Sequence, residues 1–389
     1  MPLRRIKAAS FANYLFLFVS WAILSPYLQL YLKARGFSPS RIGLLLGAFE
    51  LAGVAGPMIT GRIADRHAAY RPLLSAAFVV SAACFLPLQF TTLFPVALAA
   101  LVVMGLSYRS TIPLLDSLVT RVLPDPTRQY GRLRVAGSFG FILISLFLQL
   151  SGLVTGDSAL PILVAFCAAA AAAAGAAVFL PRGHRLAAHT GSPHPSTTGF
   201  DARFWTVLAV IFLGRFGIAA YYSFFSLYLK QTFPGTGVSM LWAIGPAAEI
   251  ITIWFSGRLI RRWGIRVMLT VSLAAISVRL CLFVAAPVLA VVAAAQVLHA
   301  FTFGTFHTTA VAWVNGRVSP ERRGMGMSIY NAVGTGLPTV IATSLGGYVL
   351  QARGFTGRFL SYAVVPLLGI GLLAVFGRRL FSTPARHVS

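Results

Sequence analysis

Stretches of about 20 predominantly apolar residues recur along the chain, and this recurrence limits the possible folds more than any other feature. A helix of that length crosses the roughly 30 Å hydrocarbon core of a bilayer. Twelve such runs begin near Phe11, Arg41, Pro72, Pro95, Arg132, Ala159, Phe204, Val238, Val267, Val288, Met325 and Arg358. Lipid offers the backbone no hydrogen-bond partners, so each run is expected to be a helix. Composition agrees: the 389 residues are 57% hydrophobic and 10% charged, where a soluble domain carries roughly 25% charged residues. The first run, from about Phe11 to Leu32, is too long for a cleavable signal peptide and lacks a small-residue cleavage site, so it is expected to be the first span. Cys84, Cys167 and Cys281 lie inside apolar runs with no CxxC or metal-ligand spacing and are expected to fill packing gaps.

The net charge of +24 raises the question of nucleic acid, but the basic residues bracket apolar segments instead of forming a stripe, and no basic-aromatic module is present. Their placement sets an orientation. With the N-terminus in the cytoplasm, six of the 32 Lys and Arg fall in external loops (Lys33, Arg35, Arg41, Lys230, Arg353, Arg358) and three inside spans (Arg109, Arg215, Arg279). The remaining 23 are cytoplasmic, which predicts both termini inside. Residues 181–203 are polar and rich in Pro, Gly, Ser and Thr, and read as a cytoplasmic linker. His184, His189 and His194 fall in it without other ligands, as solvated side chains rather than a metal site.

The two halves look like copies. LYLKARGFS (30–38) matches LYLKQTFPG (227–235), GRIADR (61–66) matches GRLIRRWGIR (257–266), and DPTRQYGRLRVAGSFG (125–140) aligns with SPERRGMGMSIYNAVG (319–334). The offsets of 197, 196 and 194 residues are nearly constant, the mark of a duplicated domain. The expected architecture is an all-α integral membrane protein of twelve transmembrane helices in two pseudo-symmetric six-helix bundles, 1–180 and 204–389, with a ligand site between them at the midplane.

This pattern resembles the major facilitator superfamily over nearly the whole chain. In the loop after span 2 the family carries Gly-x-x-x-Asp-Arg-x-Gly-Arg-Arg. Here Gly61, Asp65 and Arg66 match and Ala68 replaces the second Gly, while the C-half copy keeps Gly257 and Gly264 but has Arg261 at the Asp position. The resemblance implies that this loop latches the cytoplasmic side. Within the superfamily the chain is most similar to the branch of the 3-phenylpropionate permease and the lactose permease-like proton symporters, through RQYGRLRVAGSFGF (128–141), YYSFFSLYLK (221–230), LWAIGPAAEI (241–250) and LHAFTFGTFH (298–307). The resemblance gives Glu249 the place of the span-8 carboxylate and His299 that of the span-10 His. Thr302 stands where those permeases have Glu, so their coupling chemistry is not carried over whole.

Ionisable groups at bilayer depth are functional pointers, because an ionised side chain there costs about 2.5–3.5 kcal/mol on insertion scales. The chain has eight: Glu50, Arg109, Asp116, Arg215, Glu249, Arg279, His299 and His307. Three acids against three arginines suggests pairing around a wet cavity. A buried carboxylate near an arginine is caught between desolvation and attraction and can bind and release a proton as its surroundings alternate. Glu249, Glu50 and His299 are therefore the proton-coupling candidates, against static helix-bridging contacts. Arg109, Arg215 and Arg279 suit a carboxylate ligand or serve as partners of the glutamates. Tyr221, Tyr222, Phe301, His307 and Asn331 complete the substrate-binding candidates. Arg109 and Asp116, seven residues apart, lie on one face of span 4. Asp116 is expected to gate together with Gly61, Asp65 and Arg66. Asn13 and Gln29 either bridge helices or touch ligand. Gly43, Gly47, the alanines at 168–174, Gly334 and Gly336 read as close-packing surfaces.

No P-loop, HExxH, GxSxG or CxxC chemistry is present, which argues against an ATP-driven pump, an enzyme and a redox protein. The reading is a monomeric secondary transporter of the inner membrane without cofactors, which imports a small organic solute, with an aromatic carboxylate favoured, together with protons by alternating access. The rival readings are a drug or metabolite exporter, a sugar or nucleoside symporter and, from another class, a membrane sensor or enzyme.

Overall fold

Because lipid cannot satisfy a backbone, apolar runs must close their hydrogen bonds within themselves. The computed structural model describes residues 2–181, 200–319 and 322–381, and the regular elements among them are helical. Among the described residues, ten helices are long and apolar enough to cross a membrane: α1 (Leu3–Ala34), α2 (Pro39–His67), α3 (Tyr70–Phe90), α4 (Phe94–Val122), α5 (Gln129–Ser151), α6 (Ala159–Val178), α7 (Ala202–Thr232), α8 (Val238–Ala285), α9 (Leu289–Arg317) and α10 (Arg323–Phe381). The protein is therefore a multi-pass membrane protein.

Two of the ten far exceed one bilayer crossing, since α8 has 48 residues and α10 has 59. Each contains one non-helical break, at Gly264 (φ 74°, ψ 161°) and Gly354 (φ 63°, ψ −171°). A side chain at these torsions is strained, whereas glycine adopts them readily. The break at Gly264 lies just before the span expected from Val267, and the break at Gly354 just before the span expected from Arg358. Most of the linker expected at 181–203, with His184, His189 and His194, lies outside the described residues.

The described residues form two compact units. One combines α1 to α6 with Tyr222–Ala243 and Thr343–Ala352, and the other holds the remainder of α7 to α10, including Ile244–Ala342. In the first unit α1 packs against α5 and α6, α2 against α4, and α3 against α6. α1 is an interior helix, with 67% of its most apolar window buried. Its polar side chains reach neighbouring helices: the Asn13 amide donates to the Ala176 carbonyl (2.9 Å), and Ser20 shares a hydrogen bond with the Tyr108 hydroxyl (2.8 Å). Close approach of α2 and α4 needs glycine at Gly56 and Gly105, where an added Cβ would meet the carbonyls of Leu106 and Phe49. In the second unit the core is built from Phe204, Leu208 and Ile211 of α7, Leu269 and Leu273 of α8, Phe306 and Trp313 of α9, and Tyr330 and Leu373 of α10. Asp201 caps α7, accepting the Phe204 amide hydrogen at 3.0 Å, and pairs with Arg317.

α2 ends at Ala68, which adopts a left-handed conformation (φ 51°, ψ 31°). It is the position where the family motif has glycine, the residue helix C-termini favour there because it lacks a Cβ. An alanine in this region costs about 1–2 kcal/mol. Ala68→Gly is therefore expected to stabilise the protein by about 1 kcal/mol, read as a raised thermal midpoint of the purified protein.

Candidate functional site

The eight ionisable residues expected at bilayer depth sort into clusters. In the first unit Arg109 stands at a break in α4, where the helical pattern is interrupted at residues 109–110. The break turns its side chain toward α2, where Nη2 pairs with Oε1 of Glu50. The guanidinium also lies 4.8 Å from the Trp21 ring centroid and 5.1 Å from that of Phe49. An aromatic face and a carboxylate thus neutralise one cation together.

Asp116 does not share this contact, and the expected Arg109–Asp116 face has different partners at its two ends. Asp116 accepts a hydrogen bond from the Tyr14 hydroxyl at 2.7 Å, and Arg134 Nε is 3.9 Å away. Residues seven apart lie about two turns from each other along a helix, so each end of the face meets its own neighbours.

At the end of α2, Asp65 accepts from Arg121 Nη2 at 2.7 Å and from the Tyr70 hydroxyl. The Arg121 guanidinium covers the Tyr70 ring at 4.7 Å. Arg66 is exposed, and a Cβ on Gly61 would meet nothing within 4 Å. Of the motif residues, Asp65 is thus the one held in a network.

The second unit brings together more of the candidates. Glu249 of α8 places Oε2 3.4 Å from His299 Nε2 on α9. The other ring nitrogen, Nδ1, lies 3.1 Å from Arg279 Nη1. Arg279 also donates to Thr302 Oγ1 (3.2 Å) and to Gln296, and its guanidinium lies 3.9 Å from the Tyr221 ring centroid. Arg279 is 1% exposed and His299 4%, while Glu249 is half-buried. Gly245 and Gly304 make room: a Cβ at Gly245 would sit 3.1 Å from the His299 ring, and one at Gly304 3.2 Å from Glu249 Cβ. Thr302, at the position where the permeases carry Glu, is a ligand of Arg279 here.

Further along α9 the backbone widens into a π-helical stretch, Ala300–Thr305, and α10 contains another, Tyr330–Gly336. Such turns are rare and concentrate at functional sites. The rings of His299, Phe303 and His307 stack along α9 with interplanar angles of 5° and 8° and centroid spacings of 5.5 and 5.6 Å. Arg215 of α7 lies 5.2 Å from the Phe303 centroid, and His307 Nδ1 is 2.9 Å from the Tyr330 hydroxyl.

The other expected site residues lie elsewhere. The Tyr222 ring is tilted against Trp242 (centroids 6.2 Å apart) and its carbonyl accepts from Gln29, Phe301 is half-buried, and Asn331 is exposed. Asn13 and Gln29 both bridge helices. Of the cysteines Cys84 is buried and Cys281 exposed, so only the former suits the gap-filling expectation well. Tyr14, Trp21, Gln296 and Tyr330 were missed by sequence reasoning. Each is a polar-tipped residue in an apolar run, a signal that interior and lipid-facing positions share.

Residues 10–361 match the MFS_1 like family, and the chain belongs to that family of the major facilitator superfamily. It is 30% identical over 369 residues to a probable 3-phenylpropionic acid transporter of Escherichia coli strain K12, covering 91% of this chain and 94% of that protein. It is 26% identical to the maltose permease of Geobacillus stearothermophilus over 374 residues, 94% of this chain and 93% of the permease. The fold is similar to the crystal structure of the nucleoside transporter NupG, with a TM-score of 0.80 at 17% identity over 95% of this chain and 99% of that one.

The Glu50–Arg109 pair yields a stability prediction. The two side chains are 24% and 27% exposed, so removing one partner should cost less than the 3–5 kcal/mol of a fully buried pair. Glu50→Gln or Arg109→Gln alone is expected to destabilise by about 1–3 kcal/mol, and the double substitution by less than the sum of both, read from melting curves in detergent.

Proposed function

We propose that the protein is a proton-coupled symporter that imports a small organic solute, with an aromatic carboxylate the favoured class, by alternating access. Each broken helix, α8 and α10, counts as two passes, which makes twelve spans in two six-helix bundles, 1–180 and 204–389, joined by a cytoplasmic linker at 181–203. The protein works as a monomer in the inner membrane with both termini in the cytoplasm.

The observation that carries this reading is the contact of Glu249 with His299, whose other nitrogen meets Arg279. A carboxylate, an imidazole and a guanidinium in series offer two proton-bearing groups beside a fixed positive charge. When the helices shift, a proton held between Glu249 and His299 changes its balance of desolvation and attraction. Glu50, paired with Arg109, is the second group that gains or loses its countercharge as helices move. Substrate is held by the intramembrane arginines and nearby aromatics. One charge crossing 100 mV supplies about 2.3 kcal/mol, or roughly a fiftyfold gradient. A monoanion with one proton crosses without net charge and draws on the pH difference alone.

Gates follow from contacts inside the first unit. Gly347 lies against the Pro39 carbonyl and Gly43, Tyr27 bonds Ser239, and Lys230 pairs with Asp157 at 2.9 Å. We read these as a closed outer gate and the Asp65–Arg121–Tyr70 network, with Gly61, Arg66 and Asp116 near it, as part of the inner one.

A second reading, a sugar or nucleoside symporter, draws on the maltose permease and the nucleoside transporter among the similar proteins. The test is uptake of radiolabelled 3-phenylpropionate, maltose and uridine into proteoliposomes with an imposed pH gradient. Glu249→Gln is expected to abolish gradient-driven uptake while retaining exchange. An unchanged gradient response in the variant removes Glu249 from the coupling role, and everted vesicles separate import from export.

A further expectation concerns pH. The hydrogen bond from Lys230 holds the Asp157 carboxyl below the usual carboxylate range. A depressed carboxylate contributes fully above its ordinary value, about 3.9, and its contribution is lost as pH falls through the lower folded value. The Asp157–Lys230 bridge is therefore intact from pH 5 to 8. Asp157→Asn should therefore lower the thermal midpoint of the purified protein by the same amount at both ends of that window.

A further inference from the structure

The three intramembrane arginines are equivalent in the sequence and unequal in the structure. Arg109 has a carboxylate, Glu50. Arg279 is enclosed, with Gln296, Thr302 and His299 on its nitrogens and Tyr221 across its face. Arg215 differs from both. It is half-buried on α7 and has no carboxylate within ion-pair distance among the described residues. Its Nε is a buried donor without a hydrogen-bond partner among them. Its neighbours are the Phe303 ring at 5.2 Å and the Tyr330 hydroxyl, which also meets His307.

A guanidinium drawn partly out of water without a countercharge is costly. Phe303 and Tyr330, from different helices, both belong to π-helical stretches, so the backbone is locally widened on two sides of this arginine. The neighbouring donors and ring faces match one ligand chemistry. The paired Nη groups of a planar guanidinium suit bidentate pairing to a carboxylate, the Tyr330 hydroxyl and the His307 ring extend the polar side, and the edge of the Phe303 ring is an apolar contact beside them.

We propose that Arg215 is the anion receptor of the transporter and that the ligand is a monocarboxylate with an apolar, preferably aromatic, body. The carboxylate pairs with the Nη groups of Arg215, Tyr330 donates to a carboxylate oxygen, and the ligand body lies against the edge of the Phe303 ring. The ligand thus supplies the countercharge that Arg109 obtains from Glu50. This site rests on the transporter reading above and narrows its substrate to an acid, which sets it against the sugar and nucleoside reading.

The test is equilibrium binding to the purified full-length protein in detergent, where no gradient acts. The probes are 3-phenylpropionate, its uncharged analogue 3-phenylpropionamide, and maltose, measured by calorimetry and thermal shift. Wild type is expected to bind the acid at least tenfold more tightly than the amide, with maltose weaker than either. Arg215→Gln should bring the acid-to-amide ratio close to one. Arg215→Lys, which keeps the charge and loses the fork, should give an intermediate ratio, and it serves as the deciding variant if Arg215→Gln does not fold. Phe303→Leu should weaken acid and amide alike and leave their ratio unchanged. Equal affinity of wild type for acid and amide, binding of maltose without the acid, absence of acid binding, or a full acid preference in Arg215→Gln and Arg215→Lys would overturn the assignment. Acid binding through Arg215 in a protein that shows no pH-driven uptake would remove the coupling mechanism and leave this site standing, so the two failures are distinct.

Discussion

A charge held at bilayer depth must find its compensation inside the protein, and the arrangement of this chain follows from that constraint. Lipid gives neither a countercharge nor a hydrogen bond. Glu50 and Arg109 therefore meet, and Trp21 and Phe49 close over the guanidinium with their ring faces. Asp116 draws in Tyr14 and Arg134. Arg279 collects an amide, a hydroxyl, an imidazole and a phenol ring. Each solution uses side chains from different helices, so the polar contacts that keep these groups tolerable also hold helices together.

Those contacts depend on local departures from regular helix. Arg109 reaches α2 from a break in α4. Phe303 and Tyr330 sit in π-helical stretches, and small residues such as Gly245 and Gly304 leave room for His299 and Glu249. A regular helix would repeat its side chains every 3.6 residues and would keep backbones farther apart. Departure and glycine together bring ionisable atoms within reach of one another without surrounding them completely. A network of this kind suits exchange of partners, because several donors share few acceptors and small helix shifts favour different pairs.

Much of this was legible in the residues. The multi-pass all-helical class and the family follow from hydropathy, charge and motif. Asn13 and Gln29 were left open between bridging and binding, and both bridge. Which partners Arg109 and Asp116 take, Glu50 for one and Tyr14 for the other, was not legible from their spacing. Ala68 was visible as a departure from the motif, but its left-handed torsion was not. The left-handed torsions of Gly264 and Gly354, which break α8 and α10, were not legible either.

The sequence by itself determined that this chain lives in a membrane as apolar helices that carry a few ionisable residues, because these properties follow from the local cost of exposing backbone to lipid. It carried no information on which acid meets which arginine. Glu50 and Arg109 are separated by most of two spans, as are Arg215 and Phe303 by far more, and only packing brings such residues together. The tertiary structure alone therefore decided that one of three similar arginines meets Glu50, that Arg279 meets an imidazole, a hydroxyl, an amide and a phenol ring, and that Arg215 has a ring and a hydroxyl beside it.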